Sequence, residues 1–132
     1  MKFMREITVL LFSISVLVFS TTGFATDDNL KYFMVLGKLK PKVAQFLVEN
    51  PSDPTESAIK SIESIPGAKL IDYYLEAGSA QNIAIIAVPD TSYAAALVYQ
   101  RMASGSLIDI NVREIIPAKK FKDVMEFAQS IK

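Results

Sequence analysis

Cysteine, histidine and tryptophan are all absent from this 132-residue chain. The missing Cys and His exclude a Cys/His zinc centre, an axial His or Cys for haem, a thiol nucleophile and a Ser-His-Asp triad. No disulfide can form, and no N-terminal Cys can take a lipid. Glycine is scarce: five residues, none clustered, so no Gly-rich loop is present to cradle a phosphate. Neither sign of charge is in excess, with 14 basic against 14 acidic side chains. That balance gives no electrostatic basis for nucleic acid or an anionic membrane as partner. Lys119, Lys120 and Lys122 form a small basic group that fits a solvated helix face and falls short of a nucleic-acid footprint. No Asp-rich loop has the convergence that calcium or magnesium needs. No metal and no cofactor are therefore expected, and chemistry is confined to carboxylates, phenols, Lys and Arg.

What the chain does have is apolar residues, 51% of the total. Part of that figure belongs to the first 25 positions. Lys2 and Arg5 precede an apolar run from Ile7 to Phe19, and Ser20 to Ala25 form a small-residue exit. This is the pattern of a signal peptide, with Gly23 and Ala25 at the −3 and −1 positions of a cleavage site between Ala25 and Thr26. The apolar run is shorter than the roughly 20 residues of a membrane span. The expectation is an exported protein, periplasmic or secreted, with no stable membrane anchor after cleavage. The remainder is close to neutral, and without disulfides its core alone must stabilise it.

Residues 26–29 are a polar, disordered lead-in, and residues 30–132 read as one domain. Leu30 to Leu36 is short, apolar and aromatic, as in a buried strand. Pro41 suits a first helical position, with Val43, Phe46 and Leu47 at helical spacing, and Pro51 ends that helix. Asp53-Pro54-Thr55-Glu56 is a capping-box arrangement for a second helix, whose apolar face is Ala58, Ile59, Ile62 and Ile65; Pro66-Gly67 ends it. From Ala68 the period changes to two, with Ile71, Tyr73 and Leu75 on one face and Asp72, Tyr74 and Glu76 on the other. Ile83 to Val88 is apolar on both faces, the mark of a central strand. Asp90 caps a helix over Thr91 to Ala103 that buries Ala94, Leu97 and Val98, and Gly105 closes it. Leu107 to Ile116 alternates Ile108, Ile110 and Val112 with Asp109, Asn111 and Arg113. A last helix from Ala118 carries Phe121, Val124, Met125 and Ala128 in one stripe.

The order is βαββαβ plus a C-terminal helix. It predicts an α+β, ferredoxin-like sandwich with a four-stranded antiparallel sheet, first and third strands central. Helices on one face leave the other face of two apolar strands exposed, which is unusual in a monomer. A homodimer of the α/β-barrel type, two sheets packed face to face, covers it. The alternative is that the C-terminal helix folds over its own sheet.

Lys69 to Leu75, Gly78, Ile83 to Asp90, Ala94 to Leu97, and the strand into Pro117 followed by a helix near Phe121 together resemble the GYD domain family. The likeness covers most of the chain after the signal segment. It implies the ferredoxin-like fold and self-association, and little about chemistry. The family's Gly followed by Tyr-Asp is represented by Gly78, with Ala80 and Gln81 where the Tyr and Asp would stand.

The polar phase of the two outer strands supplies the candidate ligand-binding residues: Asp72, Tyr74, Asp109, Asn111 and Arg113. They offer carboxylates, a phenol and an anion-binding guanidinium, though charge on edge strands also serves to prevent edge pairing. Of Tyr73 and Tyr74, adjacent on a strand, only one can face a given cavity. The leading reading is an exported dimeric module that binds a small molecule or a protein. A cofactor-free enzyme working by proton transfer (isomerase or monooxygenase type) is the alternative, and it needs a buried carboxylate beside a cleft. A structural envelope protein is the third. When the full chain is expressed with its own leader in a secreting host, Edman sequencing of the exported product should begin at Thr26.

Overall fold

The computed structural model describes residues 27–131, so the expected signal segment 1–25 and its cleavage point at Ala25 and Thr26 lie outside the described residues. The elements are β1 (Lys31–Leu39), α1 (Pro41–Glu49), α2 (Thr55–Glu63), β2 (Lys69–Glu76), β3 (Gln81–Val88), α3 (Thr91–Ser104), β4 (Leu107–Ile115) and α4 (Phe121–Ser130). The chain is α+β, and its one four-stranded sheet has the order β2-β3-β1-β4. Every pair in it is antiparallel. The two strands apolar on both faces, β1 and β3, are central, as the polarity pattern predicts.

Side-chain alternation divides the sheet. Phe33 and Val35 of β1, with Ala84, Ile86 and Val88 of β3, face α2 and α3 and form the core with Ile62, Ala94 and Leu97. Ile86 and Val88 are fully buried. The opposite phase, Tyr32, Met34 and Leu36 beside Ile83 and Ile85, lies on the outer face. No residue of α4 is buried, and Phe121 and Phe127 are exposed, so α4 does not close the outer face.

Local signals decide where the helices begin. The Asp90 carboxylate accepts the Ser92 N–H at 2.8 Å, and Gly105 adopts the left-handed conformation (φ 67°) that ends α3. Asp53 accepts the Thr55 N–H at 2.8 Å at the start of α2. The expected capping box is only half made: Glu56 turns instead to Lys60, at 2.6 Å. Ahead of β1, Asp27–Asn29 of the lead-in form a 3₁₀ turn. Asp28 receives Lys119 Nζ at 3.4 Å on its carboxylate and Lys120 Nζ at 2.9 Å on its carbonyl.

Two bulges break the simple alternation. In β2, Leu70 pairs with Ile86 and Asp72 with Ile85, so Ile71 is the extra residue. Leu70, not Ile71, therefore shares a face with Tyr73, and Ile71 is 46% exposed. In β4, Asn111 pairs with Leu36 and Ile108 with Lys38, so two residues oppose Gly37. Asp109 takes up the misfit with φ 52°, a conformation that Asp tolerates better than most residues. Ile108 consequently lies on the opposite face from Ile110 and Val112.

The Ser92 hydroxyl and N–H bonded to Asp90 hold its carboxyl below the ordinary carboxylate value. A depressed folded-state value stabilises the fold above the unfolded carboxylate range and is lost as pH falls through the folded value. Asp90→Ala should therefore lower the melting temperature at pH 7, with variant and parent converging in strong acid.

Candidate functional site

A cavity of about 240 Å³ lies between the helices and the inner face of the sheet. Its floor comes from the strands: Val35 and Gly37 of β1, Tyr73 and Leu75 of β2, Asn82 and Ala84 of β3. Its roof comes from the helices: Val43 and Leu47 of α1, Ala58 and Ile62 of α2, Leu97 and Arg101 of α3. The volume exceeds the roughly 150 Å³ in which an apolar cavity admits benzene.

The cavity exists because of three local choices. Gly37 contributes no side chain, and a Cβ there would stand 2.8 Å from Leu107 Cδ1. Ala58 and Ala84 are small where Leu or Ile would fill the space. The helical layer is also divided: α1 carries no buried residue, and Phe46, expected on its apolar face, is exposed while Val43 and Leu47 reach the cavity.

Three polar groups interrupt this apolar wall. Arg101 continues the buried stripe of Ala94 and Leu97 by one further turn, so its side chain enters where the next core residue would stand. It is part-buried and donates from Nη2 to Ser61 Oγ of α2. Among the described residues it has no carboxylate partner. Tyr73 stands near it: burial pushes its phenol up from the ordinary value, and the Arg101 guanidinium pulls it partly back. Asn82 presents the third group. Its Oδ1 is buried without a hydrogen-bond partner, and its neighbour across the ladder, Gly37, has no side chain to offer one.

The residues expected from the sequence are elsewhere. Asp72 and Tyr74 lie on the outer face at one edge, and Asn111 and Arg113 on the same face at the other. Three inter-strand steps separate the two groups, about 14 Å. Within each group the residues do meet: Tyr74 donates to the Asp72 carboxylate, which pushes the phenol up from its ordinary value. Arg113 Nε donates to Asn111 Oδ1 at 3.0 Å. Asp109 belongs to the bulge and joins neither group. All five are exposed, and among the described residues no charged side chain is buried. The buried carboxylate that proton transfer requires is thus not found at Asp72 or Asp109.

Of the two adjacent tyrosines, Tyr73 faces the cavity and Tyr74 the outer face. Arg101 and Asn82 were legible as anomalies: a cation on a buried helical stripe and a lone amide in an otherwise apolar strand. Among the described residues no cluster of acidic side chains is arranged to hold a metal ion, and no helix is long and apolar enough to cross a membrane. Comparison with known protein families, with curated proteins and with solved structures finds no match to this chain.

A buried, unpaired carbonyl oxygen costs about 1–3 kcal/mol of desolvation. Asn82→Leu, which removes it at similar volume, should leave the fold intact and raise unfolding free energy by about 1 kcal/mol in a urea titration.

Proposed function

We propose that this chain is an exported, GYD-like domain of ferredoxin-like arrangement that binds a small molecule between its sheet and its helices. The observation that carries this reading is the cavity itself: concave, mostly apolar, and furnished with a few convergent polar groups, the usual composition of a ligand site.

The module acts as a homodimer in this reading. Two surfaces support it. The outer sheet face is an apolar band, Tyr32, Met34 and Leu36 beside Ile83 and Ile85, and α4 holds Phe121, Met125 and Phe127 exposed. The rim of the band is also self-complementary. Asp72, Ile85, Met34 and Arg113 form one row across the sheet, with the carboxylate at one end and the guanidinium at the other. Packing a second copy face to face about a two-fold axis parallel to the strands sets Asp72 of each against Arg113 of the other. Tyr74 then faces Asn111 in the same manner. The residues first suggested as ligand contacts are in this arrangement the polar rim of an interface.

Proton-transfer catalysis by Asp72 or Asp109 gains no support from their exposed positions, and a purely structural role leaves the cavity without a use. Native mass spectrometry of protein purified from its own compartment should show a retained small molecule, lost in Ala58→Leu, which fills the cavity. Sedimentation should give a dimer, with Asp72→Arg and Arg113→Asp each weakening it about tenfold and the double exchange restoring it.

A further inference from the structure

The cavity's polar groups are unequal in kind and in position, and that limits what can occupy it. Arg101 is a part-buried guanidinium held in place by a neutral hydroxyl, Ser61, with no carboxylate partner among the described residues. A cation so placed is compensated best by an anion brought by the ligand, because a guanidinium donates in a planar fork that fits a carboxylate. The Tyr73 hydroxyl lies on the same side of the cavity and can donate to the same anion, since burial keeps it protonated. Asn82 adds no ligand contact, because its Oδ1 is buried from the cavity as it is from solvent.

The register fixes the separation. Tyr73 pairs with Ala84, and Asn82 stands two residues from Ala84 on the same strand and face. The Tyr73 row and the Asn82 row are therefore about 7 Å apart along the strand, a depth that holds one ring. The volume agrees. At about 240 Å³ the cavity exceeds what benzene needs but falls below the roughly 300–1,000 Å³ of sites for drug-sized ligands. Much of the remaining wall, including Val35, Leu97 and Ile62, is apolar.

We infer that the ligand is a single-ring organic anion, with its carboxylate on Arg101 and Tyr73. This rests on the small-molecule reading and sharpens it. Ser61 is then a positioning residue, aiming the guanidinium without touching the ligand.

The test compares two probes by titration calorimetry on the secreted protein: 4-hydroxybenzoate and its neutral analogue 4-hydroxybenzyl alcohol. The expected order puts 4-hydroxybenzoate first, at least about tenfold tighter than the neutral analogue. Arg101→Met should abolish that preference while still binding toluene, which reports that the cavity is intact. If the alcohol binds as tightly as the anion, or Arg101→Met keeps the preference, the anion assignment is overturned and small-molecule binding stands. If no probe binds, and toluene added as a purely apolar ring does not bind either, the small-molecule reading fails with it.

Discussion

The antiparallel pairing of β1 with β3 is the constraint on which the rest of the molecule depends. Both strands are apolar in both phases, so a single covering layer cannot remove them from water. The inner phase is covered by α2 and α3 and supplies the core residues Phe33, Ile86 and Val88. Among the described residues α4 contributes no buried residue, so it adds no covering layer to the outer phase. With no disulfide available, this divided burial is the main source of stability, and its uncovered half motivates the dimer.

Helical coverage of the inner face is itself incomplete, and the shortfall makes the cavity. Pro51 and Pro54 separate α1 from α2, and α2 takes the central role with Ile62 in the core. α1 then lies over the end of the sheet where Gly37 and Asn82 leave a hollow. A continuous helix of the combined length would have no such break. The proline-rich link shortens the packed helix, and the space left beneath is where Arg101 and Tyr73 converge.

Much of the fold was legible from the chain. The strand order, the central position of the doubly apolar strands, and the starts of α2 and α3 all follow from polarity period and caps such as Asp90. What was not legible is where the period slips. Neither bulge has a local signature strong enough to predict: Ile71 looks like any β-branched strand residue, and Asp109 sits in an unbroken alternation. Each slip moves one isoleucine out of its expected phase. The proposed cavity is harder to read than the edge clusters for a related reason. Alternating charge on β2 and β4 is conspicuous, whereas an inner site consists of single exceptions to apolar patterns, Asn82 in β3 and Arg101 on the α3 stripe. Those are visible only when a polar residue in an apolar register is read as an oddity to be explained.

The strict alternation along β3 has an evolutionary consequence. Asn82 and Ala84 face the cavity while Ile83 and Ile85, their immediate neighbours, face outward. A point substitution at any of these positions reaches one side of the sheet and spares the other. In the proposed reading, ligand preference and self-association can therefore drift separately, although they are written in the same eight residues. A one-residue insertion or deletion has the opposite character, since it exchanges the two faces at once. This strand should tolerate changes of letter and reject changes of length.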